Sequence, residues 1–206
     1  MAAAAPLAGA AIIPRVDGSS SDEALMAAYQ SGDARSFALL FERYERPVFR
    51  FLRRSLGDAA AADDLLQDVW LAVVRNAAGY VPRAKFTTWL FTIARSKLID
   101  HWRAAVPMVS LNEEAANDSN ETLLDDIAAA PNVQPEVQVM SRAQAQAFVA
   151  AVEALPPVQR EAFLLHAEGD MTVEEVAQAT GVGFETAKSR LRYAFGKLRA
   201  AMEVWQ

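Results

Sequence analysis

The chain of 206 residues contains no cysteine, which removes disulfides and thiolate metal sites together and fits a reducing compartment. Its two histidines, His101 and His166, stand far apart, so a zinc site built on imidazoles lacks ligands. No apolar run reaches the roughly 20 residues needed to cross a bilayer. The apolar start, MAAAAPLAGAAIIPR, lacks the basic residues that open a secretory signal and is interrupted by Pro6, so it reads as a disordered tail. Sustained period-two alternation and Asn-Gly hairpin turns are missing, which argues against strands. No nucleotide-binding glycine loop, Ser-His-Asp arrangement or metal-ligand cluster is present. These absences exclude most enzyme classes and predict a soluble, cytoplasmic helical protein with no catalytic residues, no metal and no cofactor.

What is present divides the chain. The net charge of −6 argues against a nucleic-acid partner only until it is apportioned. Residues 1–103 carry +2, residues 104–140 carry −7 with no basic residue, and residues 141–206 carry −1. The acidity therefore belongs to one segment, and the overall charge says little about the two ends. That segment also contains Pro107, Pro131 and Pro135 and little apolar periodicity, which marks a flexible linker. The predicted organisation is a tail over 1–20, a helical unit over 21–105, a linker over 106–135 and a second helical unit over 136–206.

In the first unit, Ser21 and Asp22 cap a short helix to Gln30, and Gly32-Asp33 breaks and recaps. Phe37, Leu40, Phe41, Tyr44, Val48, Phe51, Leu52 and Leu56 then recur in steps of three and four, one helical stripe with Pro47 inside it as an expected kink. Gly57-Asp58 ends that helix and caps the next, whose stripe is Leu65, Leu66, Val69, Trp70, Val73 and Val74. Asp63, Asp64, Gln67 and Asp68 give this third helix an acidic face beside Trp70. Residues 76–85 contain Gly79 and Pro82 and read as a loop. The helix from Phe86 to Ala104 follows. It and the end of the loop carry Arg83, Lys85, Arg95, Lys97 and Arg103 against Asp100, for a net +4. Phe86, Trp89, Phe91 and Trp102 interleave with those cations, a mixture that suits single-stranded DNA, where bases stack on rings and phosphates meet cations. Helical spacing favours the core for Phe86, Trp89 and Trp102.

The second unit holds the sharpest local pattern. Thr172-Val173-Glu174-Glu175 is a capping box, the helix it starts is short, and Gly181 is placed to end it in a left-handed conformation. A new helix begins at Phe184 or Glu185. Val173, Val176, Ala177, Val182, Ala187 and Leu191 fall where two helices crossing through a tight turn share a small core, the helix-turn-helix pattern. The second of these helices carries Lys188, Arg190, Arg192, Lys197 and Arg199 against Glu185, again +4. Taken alone, this half of the chain also fits an operator-binding regulator or a solvated helical hairpin. Neither accounts for the acidic-aromatic and basic-aromatic helices upstream.

Together these residues resemble the extracytoplasmic-function subgroup of the sigma-70 family. Asp63-Asp64-Leu65-Leu66-Gln67-Asp68-Val69-Trp70 is similar to the segment of the family's region two that docks on polymerase. Phe86-Thr87-Thr88-Trp89-Leu90-Phe91-Thr92-Ile93-Ala94-Arg95 is similar to the stretch that melts and reads the minus-ten element. Leu155-Pro156-Pro157 with Arg160-Glu161 resembles the opening of region four, and Thr186-Ala187-Lys188-Ser189-Arg190-Leu191 the start of its minus-thirty-five recognition helix. The resemblance implies an all-α fold of two small domains and the role of a sigma factor. Its implied partners are the β′ coiled coil and β flap of core RNA polymerase, promoter DNA and, as often in the family, an anti-sigma factor. It assigns Asp63, Asp64, Leu65, Gln67, Asp68 and Trp70 to polymerase. It assigns Asn76, Tyr80, Arg83, Lys85, Thr87, Thr88, Trp89, Arg95 and Lys97 to minus-ten DNA, and Thr186, Lys188, Ser189, Arg190, Arg192 and Tyr193 to minus-thirty-five DNA. Two departures stand out. Ala61 replaces a customary aspartate, and Tyr193-Ala194-Phe195-Gly196 replaces an Arg-Ala-Arg continuation. The chain shows no heptad seam, so a monomer is expected when it is free of partners.

Overall fold

The computed structural model describes residue 17, residues 19–105 and residues 142–205. Among the described residues it is helical and contains no strand. The acidic linker, the tail over 1–16 and the start of the second unit at 136–141 lie outside the described residues.

Several helices begin or end where a local interaction satisfies free backbone groups. Helix α1 (Asp22–Gln30) starts at Ser21, whose hydroxyl accepts from the Ala24 amide. Helix α2 (Ala34–Leu56) starts at Asp33, which accepts from the Arg35 amide and from the buried Ser36 hydroxyl. It runs through Pro47 as one element, then stops at Gly57 with φ +76, a left-handed turn that glycine adopts without a Cβ clash. Asp58 caps helix α3 (Ala59–Asn76), and a short 3-10 turn (Ala77–Gly79) leads to an irregular stretch. Helix α4 (Phe86–Ala105) closes the first unit, and its Phe86 amide donates to the Glu23 carboxylate of α1.

The second unit contains α5 (Arg142–Glu153), α6 (Pro157–Gly169), α7 (Val173–Thr180) and α8 (Phe184–Met202). Pro157 occupies the first turn of α6, where its missing N–H costs nothing. His166 donates through Nδ1 to the Met171 carbonyl at 2.7 Å, which fixes its tautomer and folds the chain back after α6. Between α7 and α8 the turn is tight: Gly181 has φ +72, and the Val182 amide donates to the Ala177 carbonyl.

The two units do not stay apart. Helix α2 lies against α6, and α4 touches both α6 and α7. The buried side chains form one continuous cluster, from Leu25, Leu40, Phe51, Phe86 and Leu90 through Phe91 to Leu164, Leu165 and Leu198. Burial of this apolar surface is the main stabilising contribution, and α6 is its pivot. Gly169 marks the closest approach, since a Cβ built there would stand 3.1 Å from Cγ of Phe91. A side chain at the glycine that closes α6 would therefore press on Phe91. The left-handed residue at that helix end is Asp170, with φ +50.

The stripe expected on α4 is corrected at one end. Phe86, Leu90 and Leu98 are buried, whereas Trp102 is 40% exposed and sits at the rim of the seam beside Pro157 and Arg160. Among the described residues no further helix covers it, so a helical stripe longer than its neighbours leaves its last member in solvent.

Candidate nucleic-acid interface

Three surfaces carry the residues singled out by sequence. The first lies on α3. Asp63, Asp64, Gln67 and Asp68 are exposed, while Leu65 and Trp70 are buried. Trp70 packs its ring edge-on against Phe37 and tilted against Phe41, with its indole N–H buried and unpartnered. Beside the acids runs a groove of about 760 Å³ between α2 and α3, lined by Phe37, Phe41, Asp63, Leu66, Trp70 and Leu71 among others. Leu71 and Val74 are exposed at its edge, at 51% and 43%. Sequence reading missed this groove. Its signal was an apolar stripe on α3 wider than one neighbouring helix can cover.

The second surface is built from the 77–85 stretch and α4. Helix α1 holds both ends of that stretch. The Gln30 side chain donates to the Ala77 and Tyr80 carbonyls at 2.8 and 2.9 Å, and Glu23 accepts from Phe86 at the far end. Tyr80 is buried edge-on against Phe86 and Trp89, and Tyr44 tilts onto Phe86, giving a continuous aromatic cluster. The Tyr80 and Thr87 hydroxyls are buried without partners. Burial pushes the Tyr80 hydroxyl above the usual phenol value, assisted by the charges of Glu23 and Asp22. Tyr44 is pushed further by burial and by its hydrogen bond to Asp22, which also pairs with Arg43. Asn76 is exposed and donates to the Ala72 carbonyl of its own helix. Arg83 is exposed, and Trp89 and Lys97 are half-buried.

Three residues of this second surface are engaged across the seam. Lys85 Nζ pairs with Asp170 at 2.9 Å, and that hydrogen bond holds the lysine above its usual value. The Thr88 hydroxyl donates to Glu175 Oε1 at 2.6 Å. Arg95 Nε donates to Glu161 at 2.9 Å, with both side chains largely covered. Alongside them, Glu168 of α6 is 7% exposed between Arg50 and Arg54 of α2, at 2.6 and 2.8 Å. Burial would raise the Glu175 carboxyl, but hydrogen bonds from Thr88 and from the Thr172 amide and hydroxyl, with Lys85 nearby, hold it below the ordinary glutamate value.

The third surface is the helix-turn-helix. The capping box is complete, with the Glu175 amide donating to the Thr172 hydroxyl and the Thr172 amide donating to Glu175 Oε2 at 2.8 Å. Val176, Ala177, Ala187 and Leu191 form its small buried core. On α8, Thr186, Lys188, Arg192 and Tyr193 are exposed, and Ser189 and Arg190 are half-buried. The Arg192 guanidinium lies 5.1 Å over the Tyr193 ring, a cation–π contact that stiffens both. Lys188 meets only the exposed Glu185, at 3.8 Å. Phe195 is turned the other way, edge-on to Phe163 and His166 of α6, so it serves packing within the unit. Among the described residues no helix is long and apolar enough to cross a membrane.

Comparison with known proteins matches two stretches of the chain to family models. Residues 40–106 match the model of Sigma-70 region 2, and residues 145–198 match that of Sigma-70, region 4. The ECF RNA polymerase sigma factor RpoE of Cereibacter sphaeroides is 33% identical over 82% of this chain and 88% of its own. The ECF RNA polymerase sigma factor SigW of Bacillus subtilis is 26% identical over 82% of this chain and 90% of its own. The fold is shared with a sigma factor RpoE of Bartonella quintana solved in complex with the anti-sigma factor NepR, at a TM-score of 0.58 and 21% identity over 84% of this chain and all of that one. The chain belongs to the sigma-70 family, in its extracytoplasmic-function group.

Proposed function

We propose that this protein is a sigma factor that binds core RNA polymerase in the cytoplasm and directs promoter-specific initiation, without catalysing a reaction itself. The observation that carries this reading is the order of surfaces in one chain: an acidic helix beside an apolar groove, then a cationic aromatic helix, then a helix-turn-helix with an open cationic second helix. An operator-binding regulator needs only the last.

The exposed acids Asp63, Asp64 and Asp68, with Gln67, flank the groove on α3 and face basic residues of polymerase. Apolar burial in the groove supplies the affinity, because exposed ion pairs contribute little individually. Leu65 and Trp70 act from beneath, holding the helix face in place. On the second surface, the Asn76–Lys85 stretch and α4 receive the minus-ten element. Arg83, Lys85, Arg95 and Lys97 meet phosphates, Thr88 and Trp89 meet a base taken out of the stack, and Tyr80 and Thr87 shape the site from inside. The fixed ends of the stretch, tied to Gln30 and Glu23, reduce the ordering cost of capturing that base. On the third surface, Thr186, Lys188, Ser189, Arg190, Arg192 and Tyr193 enter the major groove of the minus-thirty-five element. The groove on α3 is also where an anti-sigma partner would compete with polymerase.

Run-off transcription with core polymerase on a promoter library tests the whole reading: selective transcripts are expected only when the protein is added. Within it, Asp64→Ala with Asp68→Ala should weaken co-purification with core polymerase. Undiminished binding would remove the docking role from α3.

A further inference from the structure

Helix α8 carries three aromatic residues, and the fold accounts for two of them. Phe195 is edge-on to Phe163 and His166 within the second unit, and Tyr193 lies under the Arg192 guanidinium. Phe184 has no such place. It is the first residue of α8, 42% exposed and outside the buried cluster, and among the described residues it meets no other ring. Ala187, Leu191, Ala194 and Leu198 already anchor the helix to its unit, so the ring is not needed to hold α8 in place. A single exposed phenylalanine is ordinary on a protein surface. The position of this one gives it a use.

A recognition helix presents its N-terminal residues to base edges, and side chains on a helix lean towards its N-terminus. From the first position of α8 the ring therefore projects past the end of the helix. Nothing screens it there: Gly183 precedes it without a side chain, and a Cβ built at Gly183 would meet nothing within 4 Å. Lys188 stands four residues on, the next turn of the same face, exposed and paired only with Glu185 at 3.8 Å. In the major groove such a ring has one complementary group. Base-edge donors and acceptors call for polar side chains, and thymine alone adds an apolar C5 methyl. We propose that Phe184 is a specificity-determining residue of the minus-thirty-five reader: its ring packs on the C5 methyl of one thymine, beside the contact made by Lys188. The inference rests on the assignment of α8 to minus-thirty-five DNA. To that it adds a residue outside the cationic set, a contact that is apolar rather than ionic, and a base preference at one position.

Uracil differs from thymine by that methyl alone, so the contact can be removed from the DNA side without touching the protein. The complex of this protein with core polymerase is bound to a promoter fragment that it transcribes selectively. Each thymine of the minus-thirty-five element, on either strand, is replaced in turn by uracil. One replacement should weaken binding about fourfold, the value of one buried methyl group. Phe184→Ala should weaken binding of the unmodified fragment by at least as much and be indifferent to that same replacement. Phe184→Leu should keep part of the sensitivity. The slope of affinity against salt should be unchanged in Phe184→Ala but fall by about one in Lys188→Ala, because an apolar contact releases no counterion. A flat uracil scan, or full uracil sensitivity in Phe184→Ala, would overturn the proposal. Lys188→Ala with Arg190→Ala separates this failure from that of the underlying reading. Lost promoter selectivity in that double variant alongside a flat scan would remove Phe184 only. Intact selectivity would take minus-thirty-five reading away from α8, and the inference would fall with it.

Discussion

Two segments of this chain, the 83–103 stretch that includes most of α4 and the helix α8, carry the same net charge of +4, yet the fold treats them oppositely. Four of the five cations of α8 are exposed, Arg190 is half-buried, and Lys188 meets only a loose neighbour at 3.8 Å. On and just before α4, Lys85 and Arg95 are held by carboxylates from another part of the chain. Charge composition therefore identifies what a helix can attract, while tertiary packing decides whether it is free to do so. One cationic helix is left facing solvent and the other is paired across the seam.

The comparison is broken most severely by removing the open surface. Lys188→Ala with Arg190→Ala should abolish selective transcription while polymerase binding persists, since two base or phosphate contacts of about 1–3 kcal/mol each are lost. Retained promoter selectivity would take minus-thirty-five recognition away from α8. The seam between the units should respond next, to Gly169→Val. The added methyl groups press on Phe91, so the units should separate and amide exchange in α6 and α4 should accelerate, while α7 and α8 stay protected among themselves. Unchanged exchange would show that Phe91 yields without moving the seam. Glu168→Gln should be milder. Loss of its charge-assisted bonds to Arg50 and Arg54 should lower thermal stability by about 1–3 kcal/mol, readable by calorimetry.

Acid gives a smaller, reversible version of the same test. Because Glu175 titrates below its ordinary value in the folded protein, its contribution is fully present above the unfolded glutamate value of about 4.3. That contribution is lost as pH falls through the depressed one. Stability should therefore decline below about pH 4 more steeply in the wild type than in Glu175→Gln, followed by circular dichroism. The smallest effect belongs to the open surface. Gly196 lies inside α8 with free space where a Cβ would go, so Gly196→Ala should stabilise the helix by up to about 1 kcal/mol without altering the seam. A loss of stability would mean that the position needs glycine for a reason not visible in its packing.

Most of the secondary structure was legible because its signals are local. Ser21, Asp33, Asp58 and Thr172 cap helices where a reading of side-chain hydrogen bonding places them, and Gly57 and Gly181 end helices in the left-handed region. The core of the helix-turn-helix was legible for the same reason, since its members lie within twenty residues of one another. The seam was not. Glu168 and Arg50 are separated by 118 positions, and periodicity within one helix contains nothing about which distant acid a cation will meet. Nor does Gly169 announce its packing role, because a glycine needed for close approach and one needed for a turn have the same sequence signature. Of the candidate site, the exposed acids of α3 and cations of α8 follow from pattern. The burial of Tyr80 and Thr87 follows only from the third dimension, where each side chain fills space between helices that sequence spacing cannot orient.

Glu175 has one consequence for the seam between α4 and α7. Its two oxygens face different neighbours: Oε2 accepts from the Thr172 amide at the start of α7, and Oε1 accepts from Thr88 on α4. Withdrawal of α4 vacates one oxygen and leaves the other in place. The cap that starts α7 is internal to residues 172–175, so the helix-turn-helix is a finished part whose local structure does not depend on α4.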